Sequence, residues 1–173
     1  MLSDKNLPVL YSERLKLRPI CGDDFLFMRQ LDSNPAVMKY IGNGKPKSEA
    51  QTRKSISKNY DRYTKRGIGL YIVEEAVTNL KVGRAGLFAK EEGPQLVWEI
   101  GLALHPSYWR KGYGKEIAIC LRNWALENLD TQFVVFVVQL ENLASIELAK
   151  KLGMKHWKDV NIDGLTHAVF RTS

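Results

Sequence analysis

With 173 residues, 45% hydrophobic and 26% charged, the chain is long enough to bury a sizeable core and has the composition of an ordinary globular protein. No window approaches the ~18 uninterrupted apolar residues of a membrane span, and "MLSDKNLPVLYSERLKLRP" has no apolar core followed by small residues, so neither an anchor nor a secretory signal is expected. The formal charge of +7 admits nucleic acid, acidic proteins or a polyphosphate as partners, but the cations are dispersed over 45–54, 65–66, 110–115 and 150–158, which fits a solvated surface.

In chain order, "RLKLRP" (14–19) alternates charged and apolar residues as a first strand closed by Pro19. "GDDFLFMRQLD" predicts a helix with Asp23 or Asp24 at its start and Phe25, Met28 and Leu31 on one stripe. A turn-rich segment holds a short helical piece around Val37. Residues 48–64 form a polar helix with Ile56, Tyr60 and Tyr63 on one side. Three strands follow at 69–75, 81–89 and 95–105, and their short links make them antiparallel neighbours.

The spacing then predicts a helix over 114–129, with Ile117, Cys120 or Leu121, and Trp124 facing inward. "QFVVFVV" (132–138) is apolar on both faces and reads as a central buried strand. A second helix (142–154) ends at Gly153, and a closing hairpin turns at Asp163-Gly164. The order β-α-α-β-β-β-α-β-α-β-β predicts one α+β domain over 1–173, a mixed sheet with helices packed on it.

The most informative stretch is "HPSYWRKGYGKEIAIC" (105–120). The first N–H groups of a helix lack partners, and the helix dipole adds positive charge there. Gly112 and Gly114 let an anion reach that backbone without meeting a Cβ, and Arg110, Lys111 and Lys115 add charge. The alternative is a glycine turn that merely reverses the chain. Other phosphate motifs fail: GxxxxGK[ST] is missing, and Gly112-x-Gly114 is followed by Ile117 where a dinucleotide fingerprint needs glycine.

Three segments together resemble the GNAT acetyltransferase superfamily, and within it the ribosomal-protein N-terminal acetyltransferase group. They are "SERLKLRPICGDDF", "WEIGLALHPSYWRKGYGKE" and "VVQLENLASIELAKKLGMK", in the right order and at the right separation. The resemblance spans nearly the whole chain. It implies a largely antiparallel twisted sheet of about seven strands, helices on both faces, and a splay between the fourth and fifth strands. It also implies acetyl-coenzyme A as co-substrate, with its diphosphate cradled by amides of Arg110, Lys111, Gly112, Tyr113, Gly114 and Lys115. The pantetheine arm would run beside Leu102, Ala103 and Leu104 like an added strand, at a bulge that opens the slot. Asn142 would contact the coenzyme as well as cap its helix. The chain departs from the pattern twice: Trp109 stands where the turn often has Gln or Arg, and Ala149 where a tyrosine is common.

Acetyl transfer to an amine needs a base for the ammonium proton, a donor for the oxyanion, and a partner for the leaving thiolate. Glu99, inside an apolar strand and on the face of Gly101 and Ala103, whose small size leaves room for a substrate or a water, is the base candidate, directly or through water. The alternatives are a structural ion pair or a solvent-facing edge carboxylate. The resemblance places Ser145 near the coenzyme sulfur and makes it the candidate thiol partner; the alternative is a hydroxyl serving local backbone groups. The oxyanion donor falls to a backbone N–H near Leu102 or Ala103. Cys21 and Cys120, far apart, read as reduced, partly buried thiols without the neighbours of an activated nucleophile. His105, His156 and His167 have no ligand spacing, so no metal is expected.

The acceptor would be a small amine or a protein N-terminus, possible ribosomal proteins included, bound by 32–45, the 49–64 helix and the final hairpin. Asp32, Glu49 and Asp61 are candidates to attract a cationic substrate, with plain surface charge as the alternative. The remaining expectations are a cytoplasmic monomer or homodimer without membrane or direct nucleic-acid contact. Two other functions are open to this sequence: a basic RNA- or ribosome-binding protein, and a coenzyme-binding relative that has lost catalysis.

Overall fold

The computed structural model describes residues 7–173, so the reading of residues 1–6 lies outside the described part. Its strands are β1 (Leu10–Tyr11), β2 (Leu15–Pro19), β3 (Leu70–Glu75), β4 (Lys81–Glu92), β5 (Gln95–Leu104), β6 (Val134–Gln139), β7 (Lys155–Ile162) and β8 (Leu165–Arg171). Its α-helices are α1 (Phe25–Ser33), α2 (Pro35–Met38), α3 (Glu49–Arg66), α4 (Tyr113–Asn128) and α5 (Leu143–Lys151). One sheet runs in the order β1-β2-β3-β4-β5-β6-β8-β7, and every pairing is antiparallel except β5 with β6. The eighth strand, beyond the seven expected, is the two-residue β1; it is too short to carry an alternation signal. No described helix is long and apolar enough to cross a membrane.

The alternation in β2 sorts as the pattern dictates. Leu15 and Leu17 are fully buried, while Lys16 and Arg18 reach Glu74, and Arg18 also binds the buried Asp24 at the entrance of α1. Arg18 and Lys81 hold the Asp24 carboxyl far below the usual range against the opposing effect of burial. α3 starts on a reciprocal Ser48–Gln51 capping box and turns its buried Thr52, Asn59 and Tyr63 inward. α5 ends in a Schellman motif: Gly153 N–H donates to the Lys150 carbonyl at 2.9 Å, and Met154 N–H to that of Ala149 at 3.0 Å.

The sheet has two unlike faces. On one, α4 and α5 cover Trp98, Ile100, Leu104, Phe136 and Val138. On the other, α1 and α2 lie over Ile72 and Ala103. That second group is tied down by Asp32, which is not the surface charge that the sequence allowed. It is fully buried, 2.5 Å from Arg84 and 3.2 Å from Lys47, and accepts from the Thr52 hydroxyl at 3.0 Å. Glu49, by contrast, is an exposed partner of Arg53. Removing one partner of a buried pair strands the other charge, so Asp32→Asn should lower unfolding free energy by about 3–5 kcal/mol in urea titrations. A loss below about 1 kcal/mol, the range of surface pairs, would mean that Arg84 and Lys47 find water instead.

Candidate active site

α4 enters through a turn made by two left-handed residues, Arg110 (φ +60°) and Gly112 (φ +82°). Among the described residues, none of the backbone N–H groups from Arg110 to Lys115 donates to another atom of the chain. Six consecutive donors therefore face outward at the positive end of a 16-residue helix.

The turn is held from behind. Arg14 donates from Nη1 to the Lys111 carbonyl at 3.1 Å, pairs with Glu116 at 2.8 Å, and stacks on the Tyr113 ring at 4.6 Å. Glu116 also accepts from Ser12 Oγ at 2.7 Å and from the Arg14 amide at 2.6 Å. Trp109 donates from Nε1 to the Leu104 carbonyl at 2.8 Å, so its ring straps the turn to β5. Tyr108 stacks on Tyr113 at 6.1 Å and lies under the Lys111 ammonium. The Arg14–Glu116 brace was invisible in the sequence, because its partners are 102 residues apart and each alone reads as surface charge.

The splay is where the resemblance implied it. β5 pairs with β6 only at Trp98–Val134 and Glu99–Val135. Beyond Glu99 the edge of β5 that carries Leu102, Ala103 and Leu104 has no strand on its β6 side. The expected bulge is missing from the β4–β5 ladder, whose register runs unbroken from Gly83–Leu104 to Glu92–Gln95. Divergence of β6 alone opens the slot. Gly114 sits at its mouth, where a Cβ would lie 3.5 Å from Leu148 and 3.9 Å from Leu102.

Glu99 stands at the fork, the last β5 residue paired to β6. Its side chain is 20% exposed and lies 3.4 Å from the Lys90 ammonium. Burial pushes the carboxyl up from the usual range, while Lys90 and, more weakly, His167 pull it back. The space expected beside Gly101 is filled: the Phe88 ring lies where a Cβ on Gly101 would meet it at 2.7 Å. Glycine at 101 thus serves aromatic packing, and Glu99 faces Phe88 directly across the β4–β5 ladder.

Asn142 caps α5 by accepting from the Ser145 amide at 3.2 Å. Ser145 is half-buried in the first turn of α5, and its hydroxyl makes no hydrogen bond among the described residues. Ala149 is fully buried. Cys21 is exposed, not partly buried as expected. Cys120 is half-buried and donates to the Tyr11 carbonyl at 3.6 Å; burial pushes its thiol up, away from thiolate character. The histidines are dispersed: His105 near Gln30, His156 on Asp159, and His167 beside the Leu165 carbonyl. A cavity of about 200 Å³ lined by α3 residues and Trp98 includes the candidate Asp61 but neither Glu99, Ser145 nor any residue of the α4 turn.

Comparison with known proteins places the chain among acetyltransferases by family and fold. The family model "Acetyltransferase (GNAT) domain" matches residues 14–155. The uncharacterized N-acetyltransferase YoaA of Bacillus subtilis is 29% identical over 149 residues, 86% of this chain and 83% of that one. The crystal structure of an acetyltransferase from Agrobacterium tumefaciens superposes with a TM-score of 0.82 at 26% identity, covering 97% of this chain and 95% of that chain. At 20% identity, where likeness shows the fold alone, the ribosomal L7/L12 α-N-protein acetyltransferase RimL in complex with coenzyme A superposes at 0.77, covering 95% and 96% of the two chains. The chain belongs to the GNAT family, and it is an acyltransferase that draws its acetyl group from acetyl-coenzyme A.

Proposed function

We propose that the protein transfers acetyl from acetyl-coenzyme A directly to a primary amine, with both substrates bound at once and Glu99 as the base. The observation that carries this reading is one continuous track. Six unpartnered amides at the start of α4 lead into the unpaired edge of β5, and that edge ends at a carboxylate whose affinity for protons is raised by burial. The amides and the cations of Arg110, Lys111 and Lys115 suit a diphosphate, and the edge at Leu102, Ala103 and Leu104 suits an extended amide-bearing arm.

In the reaction, the ammonium gives a proton to Glu99, directly or through water. The amine nitrogen then bonds to the thioester carbon, and as the C–S bond breaks the nitrogen sheds its second proton to solvent, from which the departing thiolate is reprotonated. The Ser145 hydroxyl, which has no partner among the described residues, donates to that sulfur, and Asn142 fixes the turn that presents it. Neither cysteine is activated for a covalent intermediate.

Two-substrate kinetics of thiol release over a panel of amines and N-terminal peptides test the order of events. Intersecting double-reciprocal lines are expected. Parallel lines, with acetyl trapped on the protein in the absence of amine, would mean a covalent route.

A further inference from the structure

The sheet face around Glu99 continues across β6, β8 and β7, with no helix among the described residues packed above it. Its apolar cluster is Val97, Val135 and Val169, with Phe133, Val137, Trp157 and Val160 packed against them, and no helix residue takes part. Register fixes one row across this face: Glu99 opposite Val135, Val135 opposite Arg171, and Arg171 opposite Lys155. Residues paired across neighbouring strands point to the same side, so the row starts at the carboxylate and ends in two cations.

The charges around the row are lopsided. Arg171 lies 5.4 Å from the Phe133 ring and 5.6 Å from that of Trp157, and Lys158 lies 4.6 Å over Trp157. Lys158 binds Glu92 and Lys90 binds Glu99. Arg171 and Lys155 have no carboxylate partner among the described residues. Across the site, Arg62 lies 5.1 Å from the Phe88 ring, and Asp32 is neutralised inside its own pairs. A polyamine held at Glu99 would lay its remaining ammonium groups against Arg171 and Lys155.

Resting on the reading of Glu99 as the base, we infer that the acceptor is an acidic polypeptide N-terminus. The α-amine sits at Glu99, and the following residues lie over Phe133 and Trp157, which pack against the buried Val135, toward Arg171 and Lys155. Two strand spacings separate Glu99 from Arg171, about 10 Å, and an extended peptide covers that in about three residues. Acidic side chains from the third to the fifth residue would therefore meet the two free cations. A second copy of the chain suits this face poorly, because two such basic edges would oppose each other.

The test uses the full chain, acetyl-coenzyme A and hexapeptides with free N-termini that differ only at positions three to five: glutamate, glutamine or lysine. With two cations read by two anions at low salt, the glutamate peptide should exceed the lysine peptide in kcat/KM by about a hundredfold. Arg171→Gln with Lys155→Gln should raise KM for the glutamate peptide about tenfold, leaving the glutamine peptide and KM for acetyl-coenzyme A unchanged. Equal or better turnover of the lysine peptide or of spermidine would overturn the inference and leave acetyl transfer intact. So would a double variant that changes sedimentation but not peptide KM, since that face would then join two copies. Peptide binding in the presence of coenzyme A, followed by tryptophan fluorescence, separates the two readings. Charge-dependent binding without turnover faults the role of Glu99 and supports the acidic acceptor, whereas charge-independent binding overturns it.

Discussion

Glu99→Gln should lower kcat by about 10²–10⁴-fold while leaving the affinity for coenzyme A unchanged, because glutamine keeps the size of the side chain and removes only its ability to take a proton. The pH profile carries the sharper signature. Burial raises the Glu99 pKa and the Lys90 ammonium opposes that rise. A base works in its deprotonated form, so in the wild type the rate climbs as pH rises through that elevated value. Lys90→Met removes the opposing cation and should move this acid limb to higher pH, and Glu99→Gln should abolish it. A variant that keeps full activity across the pH range would remove Glu99 from the chemistry.

Stability should move the other way. A carboxyl with a raised folded-state pKa stabilises the fold when protonated, below its unfolded pKa, and that contribution is lost as pH rises through the folded value. At neutral pH the wild type carries the cost of a charged, poorly hydrated group that glutamine lacks. The Glu99→Gln protein should therefore unfold at the same temperature or slightly higher near pH 7, with the gain fading toward pH 4. A drop in Tm at neutral pH would identify the Lys90–Glu99 pair as structural instead.

The second large effect belongs to the turn. Gly112 holds φ at +82°, and a Cβ there would also come within 3.4 Å of Arg14 Nη2. Left-handed geometry costs an ordinary L-residue about 1–2 kcal/mol, and a β-branched one resists it further. Gly112→Val should relieve that strain by rotating the peptide planes and redirecting the amides of 110–115. Calorimetric titration should then show coenzyme A affinity at least about tenfold weaker, the equivalent of about 1.4 kcal/mol. Gly114 separates strain from approach. A Cβ there meets Leu148 at 3.5 Å, an ordinary contact, so any loss of affinity in Gly114→Ala reports the ligand meeting the new methyl group. Unchanged affinity in Gly112→Val, with its fold retained, would place the coenzyme elsewhere.

Much of this architecture could be read from local pattern. Period-two alternation located β2, and strand-like runs joined by short turn-like links located β3 to β5. Glycine at the entry of α4 and after α5 marked where those helices begin and end, and Asp163-Gly164, both at positive φ, closed the last hairpin. These features depend on backbone sterics and on hydrophobic period, which act over a few residues and are written into neighbouring positions. Among the candidate residues, Glu99 and Gly112 stand out within their own strand and turn, whereas the roles proposed for Asn142 and Ser145 rest on the family resemblance.

What the linear pattern could not supply were relations between distant segments. Asp32 looked like a surface charge until α1, α3 and β4 closed around it. Gly101 looked like open space until β4 laid Phe88 across it. The Arg14–Glu116 brace and the row from Glu99 to Arg171 and Lys155 arise from register between strands and helices far apart in the chain. A charge or a small side chain has no fixed meaning along the sequence. Its partner, and therefore its pKa, its burial and its role, is chosen only when packing brings a second segment within a few ångströms.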